Sequence, residues 1–143
     1  MACVCYPYKV AGMGNRMSLA RHKFRIAKGR WLTVVIWPNE RETTKAWHTT
    51  DKSAEGEQVK KSEAVYGFCL YTIGSGSAQI HLSLNLIGAG LWAHELQHLI
   101  LHELRFRKGW RDEPMAELAG KLTRQFWRWF YKRFTEVKPG MKA

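Results

Sequence analysis

Hydrophobic positions along the chain follow two rhythms. Apolar residues recur every three to four positions in three stretches, the spacing of one face of an α-helix. The first stretch covers about 15 to 28, with Met17, Ala20, Phe24 and Ala27 on one face and Gly29 as a stop. The second covers about 89 to 107. Leu91, Trp92, Leu96, Leu99, Ile100 and Leu104 form its stripe, Gly88 and Gly90 precede it, and Arg105, Arg107 and Lys108 lead to Gly109. Basic residues in a last turn followed by glycine end a helix. The third runs from about 114 to 134, with Pro114 in a first-turn position, Asp112 or Glu113 as the cap, and Met115, Leu118, Ala119, Leu122, Phe126 and Phe130 as the stripe.

The other rhythm is that of strands. Trp31 to Trp37 is a continuous apolar run ended by Pro38-Asn39, and Thr43 to Thr49 is a candidate partner strand. Segments 64–73 and 78–85 read as two strands joined by Gly74-Ser75-Gly76-Ser77, a hairpin signal. Within the second, Ile80, Leu82 and Leu84 alternate with His81, Ser83 and Asn85, as one buried face requires. The polar stretch 51–63 reads as a mobile loop and 136–143 as a flexible tail. The predicted fold class is α+β, a single domain over 1–143. It has an N-terminal helix, a small antiparallel or mixed sheet, and two closing helices packed against it.

Composition narrows the class. With 45% hydrophobic residues and seven tryptophans among 143 residues, the chain can bury a real core, which excludes a disordered segment. No run of 18 apolar residues is present, and the N-terminus lacks an apolar segment before a small-residue cleavage site, so a cytoplasmic protein without a membrane span is expected. Three cysteines fit a reducing compartment. Cys3-Val4-Cys5 has no matching second pair for a structural zinc, and Cys69, in an apolar stretch, reads as a core thiol.

The second helical stretch carries His94-Glu95-Leu96-Gln97-His98, an HExxH motif. Two histidines four apart lie one above the other on a helix, so both imidazoles can reach one metal ion. The glutamate beside the first is then placed to take a proton from a metal-bound water, whose pKa zinc lowers to about 7. A catalytic zinc takes three protein ligands and keeps a fourth position open. His102 is a poor third ligand, because three histidines over two turns span about 12 Å. Glu113 and Glu117 are better candidates: the short connection 108–112 would fold the third helix back and bring its acidic first turn near the pair. Both glutamates also suit a helix start for electrostatic reasons alone.

HELQHLILH followed by EPMAELAG resembles the small thermolysin-type (gluzincin) zinc metallopeptidases, most nearly the compact ImmA/IrrE-like branch and related phage-encoded proteins. The resemblance covers about 78 to 130. It implies one Zn²⁺ per chain held by His94, His98 and Glu113, Glu95 as general base, and Glu117 orienting a ligand. It also implies that Gln79 to Asn85 is an exposed edge strand pairing with an extended peptide substrate. On that reading His81 is either an oxyanion-stabilising group or an ordinary strand residue. The partner would be a protein substrate such as a regulator or host factor, although no residue names it.

The formal charge of +11 adds an alternative. Cations cluster in 16–30 and in 105–133, the second set interleaved with Trp127, Trp129, Phe130, Tyr131 and Phe134. Such a surface could hold nucleic acid through phosphate contacts and stacking. The competing reading is therefore a basic nucleic-acid- or protein-binding module with a structural or vestigial zinc.

Overall fold

The computed structural model describes residues 5–7, 18–50, 63–71, 77–106 and 112–134. Its order is β1 (Cys5–Pro7), β2 (Ala20–Ala27), β3 (Arg30–Trp37), α1 (Glu40–Thr49), β4 (Gly67–Tyr71), β5 (Ser77–Ser83), α2 (Ala89–Phe106) and α3 (Asp112–Phe134). The five strands form one mixed sheet in the order β1-β4-β5-β3-β2. β2 with β3 and β4 with β5 are antiparallel pairs, while β3 with β5 and β1 with β4 are parallel. The fold is α+β, as the sequence predicts. The sheet is mixed, and the chain's first described elements are strands.

The stretch read as an N-terminal helix is strand β2 over its described part. Phe24 and Ile26 are buried and Arg21, Lys23 and Arg25 exposed, the two-residue rhythm of a strand. A spacing of four, as between Ala20 and Phe24, suits a helix face and a strand face alike. Ile26 decides, because two residues from Phe24 it shares a face only in a strand. Gly29, at φ 72°, closes the two-residue turn to β3 in a conformation that side chains disfavour.

The expected partner strand at 43–49 is helix α1. Asn39 caps it, its side chain accepting from the Glu42 amide at 3.0 Å, and Thr43, Ala46 and Trp47 bury one face. The threonines that suggest a strand are satisfied along the helix: Thr43 donates to the Asn39 carbonyl at 3.0 Å and Thr44 to that of Glu40 at 2.6 Å. Segments 51–62 and 135–143, which include most of the expected loop and all of the expected tail, lie outside the described residues.

The sheet separates two cores. On one face α2 and α3 cover Leu32, Val34, Ile36, Ile80 and Leu82. On the other α1 covers Val35, Trp37, Phe68 and Leu70. β5 therefore lies in the middle of the sheet and is buried on both faces, which corrects its reading as an exposed, one-sided edge strand. Among the described residues no helix is long and apolar enough to cross a membrane.

Candidate metal site on helix α2

α2 starts with the Trp92 amide bonded to the Gly88 carbonyl at 3.1 Å, and its apolar stripe sets its rotation. Trp92, Leu96 and Leu99 point into the core. Ala93, Gln97, Ile100 and Leu104 form the flank facing α3, where they line a groove of about 510 Å³ with Met115, Ala116, Ala119 and Trp127. His94 and His98 fall about 110° round the helix from that flank, given 3.6 residues per turn. Theirs is the flank next to Leu91, Glu95 and His102, which lie against β4.

The pair converges. His94 Nε2 and His98 Nε2 are 3.2 Å apart. Two nitrogens bonded to one tetrahedral zinc at about 2.0–2.1 Å stand about 3.3 Å apart, so the pair already has the bite that the metal needs. Burial, then the charges of His94 and His102, hold His98 below the usual imidazole range. That favours the neutral ring, the form that binds metal.

Glu95 is turned inward from the pair and is fully buried. It lies over β4 at Gly67, where an added Cβ would be 3.4 Å from Glu95 Cγ, 3.2 Å from Leu91 Cδ1 and 3.0 Å from the His81 carbonyl oxygen. The missing side chain lets α2 come close to the strand at the motif. Further along α2, His102 stacks on Tyr71, with ring centroids 5.1 Å apart. Buried Glu103 pairs with Arg30 at 2.6 Å, and Arg30 also bonds the Tyr71 hydroxyl. This network ties α2 to β3 and β4. An isolated glycine in a strand pattern is the only sequence signal that could have found any of it.

The other predicted site residues lie elsewhere. α3 runs antiparallel to α2: Trp92 stacks on Phe126 at 4.0 Å and donates to Thr123 Oγ1 at 3.0 Å, while Leu104 and Asp112 share the groove. Its acidic first turn thus stands by the end of α2, on the flank away from the histidines. Glu113 and Glu117 are exposed, and Glu117 lines a depression with Ile26 of β2. Among the described residues no three His, Cys, Asp or Glu gather to hold a metal. The donors therefore fit zinc at two protein positions, and a third is not assembled.

His81 lies on the opposite face of the sheet. It stacks on Phe68 at 4.2 Å, its Nδ1 accepts from Trp37 Nε1 at 2.9 Å, and its Nε2 is 2.8 Å from Gln79 Oε1. Burial, with a smaller contribution from Arg21, lowers its pKa to about 3. The ring is neutral and takes no part in the α2 site. Cys69 is a buried thiol in the core, as its surroundings in the sequence suggest.

Comparison of the chain with family models, with curated proteins and with solved structures returned no match.

Proposed function

We propose that the chain is a zinc-dependent metallopeptidase that hydrolyses peptide bonds of a protein substrate. The observation that carries this reading is the convergence of the two Nε2 atoms of an HExxH motif to 3.2 Å, with the intervening glutamate fully buried beside them in sequence. Taking a carboxylate out of water is costly, so a buried Glu95 fits a residue kept for chemistry better than one kept for packing. His94 and His98 would hold the ion. Bound zinc would supply an activated water and polarise a carbonyl. Glu95 would take the proton and hand it on to the leaving amine. Glu113 is the third ligand that the family resemblance suggests. In that role it would require the start of α3 to come round to the other flank of α2.

Substrate pairing must differ from what the resemblance implies, because β5 has strands on both sides. On the side of the histidine flank the last long strand is β4, and β1 occupies its outer edge. An extended peptide would thus approach over β4 or in place of β1.

Elemental analysis of protein purified without a metal-binding tag tests the proposal. About one zinc per wild-type chain is expected, and none in His98→Ala. Glu95→Gln should keep both fold and zinc and lose hydrolysis of an unfolded protein substrate. A wild-type chain that neither carries nor takes up zinc would overturn the reading. So would Glu95→Gln cutting at the wild-type rate.

A further inference from the structure

The two basic segments of the sequence, far apart along the chain, become neighbours in the fold. α3 packs along β2 in the opposite direction: Arg133 reaches the Leu19 carbonyl at 3.5 Å, Trp129 stacks on His22, and Lys121 and Arg124 share a depression with Ile26. From 19 to 30 and from 118 to 134 there is no aspartate or glutamate. Arg21, Lys23 and Arg25 on β2, with Arg124, Arg128 and Lys132 on α3, are all exposed. Among the described residues none of these six is in an ion pair.

Their arrangement is linear. Among the described residues β2 is the outermost strand of the sheet, paired with β3. Cations at alternate strand positions stand about 6.7 Å apart, the scale of one nucleotide step in an extended strand. The α3 cations form a second row, and a depression of about 370 Å³ at the β2–α3 seam is lined by Lys23, Arg25, Arg128 and Lys132. In it lies an aromatic platform: His22, itself exposed, stacks on Trp129 at 5.3 Å and 22°. Clustered cations and a stacking surface are what a single strand of nucleic acid uses when it is held by its backbone and not by its base sequence. An acidic peptide would find the charge but no use for the stacked rings.

We infer that the β2–α3 surface binds single-stranded nucleic acid through its phosphates. The site stands apart from the α2 histidines, whose flank borders β4 on the other side of β5. It does not depend on the peptidase reading.

The test is fluorescence anisotropy of the full chain with a labelled 20-nucleotide oligothymidylate between 50 and 200 mM salt. Six phosphate contacts give a slope of log affinity on log salt near −4, taking about −0.7 per contact on a single strand. Lys23→Glu with Arg25→Glu, and separately Arg128→Glu with Lys132→Glu, should each weaken binding at least tenfold. The corresponding glutamine pairs should weaken binding less and flatten the slope by about 1.4. These milder variants keep the test valid should charge reversal impair folding, which circular dichroism reads. Arg41→Glu, at an exposed position of α1, should leave binding unchanged. Absence of binding would overturn the inference, as would equal or tighter binding of duplex, polyglutamate or anionic vesicles, or equal loss in the α1 variant.

Discussion

The two flanks of α2 are built from the same helix and do opposite work. The flank toward α3 is mostly apolar and lines a groove with that helix, beside which Trp92 stacks on Phe126 at 4.0 Å. The flank toward β4 carries His94, His98 and His102 and meets a strand whose one missing side chain, at Gly67, brings the backbone close. Helical periodicity assigns residues to a flank. It says nothing about which neighbour that flank will meet, and a glutamate on α3 is therefore not a neighbour of the histidines merely because it follows them in the chain.

Substitutions should separate the two flanks. Trp92→Ala removes the stack and the bond to Thr123, and is expected to cost about 3–5 kcal/mol of stability in denaturant unfolding. His94→Ala on the other flank should leave the metal-free protein within about 0.5 kcal/mol of wild type, since the ring is exposed. Glu103→Ala strands Arg30 and should cost about 2–3 kcal/mol, below the figure for a fully buried pair because Arg30 keeps 24% exposure. Thermal unfolding of these variants with and without zinc checks whether the metal stabilises every one except His94→Ala.

The histidine on the far face gives a contrast in pH. His81 has a folded pKa of about 3, below that of a free imidazole, so the unfolded chain binds its proton first. Its contribution to stability is present above about pH 6.5 and is lost as pH falls toward 3, at about 1.4 kcal/mol per pH unit. By pH 5 that is about 2 kcal/mol. His81→Gln should remove this slope, which unfolding midpoints from pH 7 to 5 would reveal; an unchanged slope would mean that other groups carry it. A modest effect on stability is expected for Gly67→Ala, about 1–2 kcal/mol from crowding against Leu91 and a backbone oxygen. Its effect on hydrolysis should be larger, because Glu95 is among the groups displaced. Metal content separates the remaining possibilities at α3. On the geometry described, Glu113→Ala and Glu117→Ala retain zinc, whereas loss from Glu113→Ala alone would show that the start of α3 swings to the pair on loading.

What was legible in the sequence follows from how local each determinant is. α2, α3 and β3 were readable because their apolar rhythm extends over many residues. The pairing of β4 with β5 was readable from two strand patterns with a short glycine-serine link. β2 was missed because Ala20 and Phe24 satisfy both periods. α1 was missed because its threonines favour strands, although Asn39 with Glu42 three residues on offered a capping signal. The histidine pair needs only one helix and was fully legible. The placement of Glu113, the central position of β5 and the burial of His81 depend on which elements meet, and no local pattern encodes that.

The parallel pairing of β3 with β5 has a kinetic consequence. β2–β3, β4–β5 and α2–α3 are each joined by short connections, and each can form early from nearby residues. β3 and β5 are joined through residues 38–76, so their ladder must close a long loop before it gains any contacts. That ladder binds the hairpins into one sheet and completes both cores. The slow event in forming this molecule should then be the meeting of Val34 with Ile80. Trimming either side chain should slow folding far more than it speeds unfolding, as stopped-flow refolding of Val34→Ala and Ile80→Val would show.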